Sequence, residues 1–176
     1  MTRSGAKVGD KIYVTGYVGD AAAGLACLQS GGAKSDDARY LVRRFCRPES
    51  RILFAQKITA NATACIDLSD GLFADAEKLL AASDVSGVLE IDAVPLSPQI
   101  RNQLPFEEAL QFALGGGDDY ELCFTSNASE TDLQAIAKEC DVPLCAVGQV
   151  APGSGLRCTK DRVGYDYHHE GYRHFE

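Results

Sequence analysis

Short apolar runs in this chain alternate with helical patterns, and glycine punctuates the joins. Residues 11–15, 63–67, 87–91, 122–125, 144–150 and 156–159 read as strands. Some are separated by helix-length segments and others by short turns. That spacing predicts an α+β fold: a mixed, largely antiparallel sheet layered with helices, rather than an all-parallel doubly wound sheet. With 176 residues, 45% of them apolar, the chain can bury one respectable core, and a single domain over 1–176 is expected.

Helices are predicted over 20–28, from an N-cap at Ser35 to a stop at Pro48, over 52–58, from Leu72 onward, over 106–114 and from Ser129. In the helix after residue 71, Leu72, Phe73, Ala76, Leu79 and Leu80 form the apolar stripe, with Asp75, Glu77 and Lys78 opposite. Asp70 is the expected N-cap of that helix. Ser129-Glu130-Thr131-Asp132 imitates a capping box. Pro95, Pro98 and Pro105 predict a linker, and Arg43, Arg44 and Arg47 a solvated basic face.

A formal charge of -8 and a pI near 4.9 weigh against a nucleic-acid surface or an anionic membrane as partner. A phosphorylated ligand would then need metal ions as counter-charge. The seven cysteines include no Cys-x-x-Cys pair and no even framework, so reduced thiols in the cytoplasm are expected. The N-terminus carries no apolar leader, and no run approaches membrane-spanning length.

Two acidic strings could carry chemistry. In Ile66-Asp67-Leu68-Ser69-Asp70-Gly71-Leu72, two carboxylates flank a hydroxyl where a strand gives way to a helix. Mg²⁺ favours such hard oxygen donors, and a helix start favours anions. From spacing alone, an acidic cap with a surface ion pair explains the string slightly better than a metal site. In Gly115-Gly116-Gly117-Asp118-Asp119-Tyr120-Glu121, glycines that allow close backbone approach precede three acids; an ordinary helix-to-strand turn with solvated acids is the alternative. Gly16-Tyr17-Val18-Gly19 lacks the Lys and Ser/Thr of a phosphate-binding loop. His168, His169 and His174 lie in an aromatic-rich tail that reads as a C-terminal flap.

Taken together, Arg3-Ser4-Gly5-Ala6-Lys7-x-Gly9-Asp10, the 66–72 string and Gly116-Gly117-Asp118-Asp119-Tyr120-Glu121-Leu122 resemble the thiamine-monophosphate kinases, members of the aminoimidazole-ribonucleotide synthetase-like superfamily. The resemblance implies that superfamily's C-terminal-domain fold and ATP-dependent phosphorylation of thiamine monophosphate to thiamine diphosphate. By the same resemblance Asp67 and Asp70 match Mg²⁺ ligands, Arg3 and Ser69 match ATP contacts, and Asp118 and Tyr172 match substrate contacts. Asp118 stands where the family usually has Glu, one methylene longer. No residue matches a catalytic side chain, so direct in-line transfer is implied. Nothing matches the family's N-terminal metal- and nucleotide-binding domain, so the chain reads as the C-terminal part of an enzyme that is a homodimer when complete. The alternatives are a non-catalytic binding or interaction domain, or another ATP-using member of the superfamily such as a selenophosphate synthetase.

Overall fold

The computed structural model describes residues 1–167. Tyr172 and the three histidines lie outside the described residues. Among the described residues seven strands form one sheet: β1 (Lys11–Thr15), β2 (Ala64–Asp67), β3 (Ser86–Glu90), β4 (Leu122–Ser126), β5 (Leu144–Ala151), β6 (Leu156–Lys160) and β7 (Val163–Tyr165). Their order across the sheet is β2-β4-β1-β5-β3-β6-β7. Among the described residues only β3 and β6 pair in parallel; the other neighbours are antiparallel. The α+β expectation holds.

Strand alternation sends successive side chains to opposite faces, and each face builds its own core. Ile12 and Val14 of β1, Ala64 and Ile66 of β2 and Cys123 of β4 face α1 (Asp20–Gln29), α2 (Asp36–Cys46), α4 (Leu72–Ala81), α5 (Pro98–Gln103) and α6 (Phe106–Gly115). Tyr13, Cys65 and Phe124 face the other way, against α3 (Ile52–Ile58) and α7 (Glu130–Glu139). Tyr13 and Phe124 stack there with ring centroids 5.3 Å apart. Burial pushes the Cys65 thiol up to about 11, which keeps it protonated and leaves it to act as a small apolar side chain. No helix among the described residues is long and apolar enough to cross a membrane.

Several local expectations are corrected. The three-proline segment is not a bare linker: Ser97 caps α5 by accepting from the Ile100 N–H (3.1 Å), and Pro98 occupies the first helical position, where a missing N–H costs nothing. Ser35 does cap α2, its Oγ accepting from the Ala38 N–H (3.1 Å). Ser129 makes no side-chain cap at α7, so the capping-box resemblance there is only compositional. Arg44 is not on a solvated face; it is buried, because a carboxylate from a distant loop meets it. Finally, β7 adds a three-residue edge strand to a tail expected only to fold over as a flap.

Candidate functional site

The two acidic strings meet. β2 and β4 pair with Asp67 opposite Leu122, and the ladder continues beyond both strands. The Leu68 N–H donates to the Glu121 carbonyl (2.8 Å), the Tyr120 N–H to the Leu68 carbonyl (2.9 Å) and the Asp118 N–H to the Ser69 carbonyl (3.0 Å). Gly117 permits this approach, since a Cβ there would lie 2.1 Å from the Ser69 carbonyl oxygen. The run also alternates in burial: Asp118 and Tyr120, both in left-handed backbone (φ 67° and 51°), are exposed, whereas Asp119 and Glu121 are buried. The acids of this turn therefore divide between two jobs.

The buried pair anchors the loop. Glu121, with 0% exposure, accepts from Arg44 Nη2 (2.8 Å), Arg51 Nε and Nη2 (2.6 Å each) and Thr15 Oγ1 (2.6 Å). Gly16, at φ +61°, leaves the space this carboxylate fills; a Cβ there would stand 2.1 Å from Glu121 Oε1. Asp119 accepts from the Gly19 N–H (2.7 Å) and the Ala21 N–H (3.0 Å), satisfying the start of α1. Its burial pushes the carboxyl up to about 7 despite those two bonds. Asp20 beside it accepts from Ser97 Oγ (2.6 Å), and burial raises it too.

The exposed residues form an acidic surface at the end of β2 and the start of α4. Asp67, Asp70 and Asp118 are all exposed, and Ser69 is half-buried between the first two, its hydroxyl 3.3 Å from Asp70 Oδ1. Asp118 raises the Tyr120 phenol above its usual value, with smaller contributions from burial, Asp67 and Asp70. Tyr120 thus stands in the field of all three acids. Asp67 also lines an open recess of about 430 Å³ together with Thr2, Arg3, Cys65 and Leu122. Arg3 and Asp67 therefore share one recess, where the N-terminal segment bonds to the free edge of β2 (Cys65 N–H to Thr2 carbonyl, 2.8 Å).

Asp70 does not cap α4. The N-cap is Gly71, at φ 101°, and makes no side-chain cap. Asp75 performs the anchoring instead: its Oδ2 accepts from both the Ser69 and the Asp70 N–H (2.8 Å each). Asp75 is consequently buried rather than on the polar side of its helix. Lys78 Nζ bridges Asp75 Oδ1 (2.9 Å) and Asp70 Oδ2. Burial opposes charge on this ammonium, yet its bonds to Asp70 and Asp75 carry its pKa above the usual lysine value.

The donor set fits a hard divalent cation: Asp67 and Asp70 present accessible carboxylate oxygens, and Asp70 already receives a cationic group. Among the described residues, no three His, Cys, Asp or Glu side chains gather closely enough to hold a metal by themselves. On the other side of the glycine run, an open recess of about 510 Å³ is lined by Ala22, Leu25, Phe112, Gly115, Gly116 and Tyr167. Tyr167 packs against Phe73 at 5.1 Å between centroids.

Residues 7–161 match the family AIR synthase related protein, C-terminal domain, and the chain belongs to that family. Within this class the similarity runs to the thiamine-monophosphate kinases. The chain is 41% identical to the Salmonella typhimurium (strain LT2) thiamine-monophosphate kinase over 179 aligned residues, covering 99% of this chain and 55% of that enzyme. It resembles the crystal structure of thiamine-monophosphate kinase from Stenotrophomonas maltophilia K279a with a TM-score of 0.87 at 36% identity, over 94% of this chain and 54% of that one. The structure of AaThiL complexed with AMPPCP and TMP matches with a TM-score of 0.79 at 30% identity, over 98% and 53% of the two chains. The chain thus spans about half the length of the curated relatives it matches.

Proposed function

We propose that this chain supplies the C-terminal part of a thiamine-monophosphate kinase, an enzyme that transfers the γ-phosphoryl group of ATP to thiamine monophosphate. The observation that carries this reading is the continued β2–β4 ladder, which sets Asp67, Ser69 and Asp70 beside Asp118 and Tyr120 on one open surface. The similarity to a protein complexed with both AMPPCP and TMP supports the same two ligands here.

In this reading Asp67 and Asp70 would hold Mg²⁺, with the rest of its shell completed by nucleotide phosphates, water and an N-terminal domain. Bound there, Mg²⁺ supplies charge neutralisation for the polyphosphate. The chain's own residues supply positioning. The Ser69 hydroxyl offers a hydrogen bond to the nucleotide, and Arg3, which lines the same recess as Asp67, offers a cation to its phosphates. Asp118 and Tyr172 take the thiamine moiety: a carboxylate balances the thiazolium charge, and an aromatic ring stacks on a heterocycle. The phosphate of thiamine monophosphate is itself the nucleophile, so no general base is assigned.

A chimera joining the N-terminal part of the Salmonella typhimurium relative to this chain tests the proposal. ATP-dependent formation of thiamine diphosphate is expected from the chimera, and a loss of about 100-fold or more in kcat/KM from its Asp70→Asn variant. A folded chimera that binds ATP and thiamine monophosphate without turnover would favour a non-catalytic binding domain. Turnover by the 176-residue chain alone would contradict its role as one part of the enzyme.

A further inference from the structure

Lys78 stands at the acidic surface without a role in the proposed chemistry. Its ammonium joins two carboxylates of unequal exposure. Asp75 is 1% exposed and fixed, since its second oxygen is committed to the Ser69 and Asp70 N–H groups. Asp70 is 45% exposed at its side chain and sits at the turn into α4. Asp75 and Lys78 also lie three residues apart on one helix, the spacing at which side chains meet. The ammonium is therefore tethered at Asp75, while its contact with Asp70 is the exchangeable one.

We propose that Lys78 is a built-in counter-cation for Asp70, which a divalent ion must displace before it can use that carboxylate. The inference rests on the reading of Asp70 as a metal ligand. An ammonium and a divalent ion on one carboxylate oxygen repel each other, so occupancy by one excludes the other. Displacement need not release Lys78 to solvent, because the Asp75 bond keeps it beside the site. The pair also neutralises Asp70 when no metal is bound, which limits repulsion among Asp67, Asp70 and Asp118.

The test uses the chimera that joins the N-terminal part of the Salmonella typhimurium relative to this chain, with ¹³C-labelled lysine and aspartate, followed by NMR as Mg²⁺ is added in the presence of AMPPCP. The Lys78 Cε and Asp70 Cγ resonances are expected to move together with one midpoint. Lys78→Met should tighten Mg²⁺ binding roughly fivefold, the scale of a partly exposed ion pair, and Lys78→Arg should leave it within about twofold of the parent. Metal binding that moves Asp70 but leaves Lys78 in place would overturn the proposal while sparing the metal reading. Unchanged or weaker binding in a folded Lys78→Met chain would do the same. No movement at Asp70 in either the parent or Lys78→Met would remove the metal reading itself, and this inference with it.

Discussion

Glu121 carries more of the local order than any other side chain near the site, because two buried guanidinium groups and a threonine hydroxyl all end on it. Removing one partner of such a cluster strands the remaining charges in a poorly solvated place. Glu121→Ala is expected to cost about 3–5 kcal/mol in urea unfolding, well above the loss for an exposed acid such as Glu77. Little of this was legible in the sequence. Arg44 sits among Arg43 and Arg47 at a spacing that suits a wet helix face, and only a carboxylate 77 positions away makes it a core residue. One local signal was available: Asp118, Asp119, Tyr120 and Glu121 run straight into an apolar strand, and extending that strand's two-residue period backward sorts them into outward and inward pairs.

At the scale of elements, the ladder prolonged beyond β2 and β4 sets the separation of the two acidic strings. Gly117→Ala drives a methyl group against the Ser69 carbonyl and should break the Asp118-to-Ser69 hydrogen bond. The expected result is faster amide exchange at Asp118 and Tyr120, with the amides of Tyr13 and Phe124 in the sheet centre still protected. Ser97→Ala removes the α5 cap and a hydrogen bond to buried Asp20 together, and should lower stability by about 1–2 kcal/mol in thermal or urea melts. The elements themselves were largely legible, since β1, β2 and α1 to α4 follow apolar periodicity and punctuation that act locally. Where reading failed, the deciding partner was elsewhere or the element was very short. Three prolines obscured α5, although Ser97-Pro98 is a good helix start; Val163–Tyr165 offers too few residues to show a period. Asp70 resembles a cap until the Asp75 carboxylate, one turn into the helix, takes the N–H groups around it.

For the molecule as a whole, the cluster of buried acids makes stability depend on pH. Asp119 is raised to about 7 in the folded chain, from an ordinary value near 3.8, so the folded state holds its proton more tightly than the unfolded one. The stabilisation this provides is complete below about pH 4 and is lost as pH rises through 7. Relative to Asp119→Asn, which has no such proton, the parent chain should therefore lose stability between pH 4 and 7, by an amount on the order of a few kcal/mol, measured as paired urea melts across that range. A difference that stays flat or grows with pH would contradict the burial argument. The same strand end has a consequence for how such a protein can change over generations. Its buried positions, Asp119 and Glu121, hold the scaffold, and its exposed positions, Asp118 and Tyr120, adopt left-handed backbone (φ 67° and 51°) that favours Asn, Asp or Gly and penalises β-branched residues. Change over generations is thereby confined at this strand end to every second residue, and there to the few residue types that left-handed backbone admits, while the residues between them keep the architecture in place.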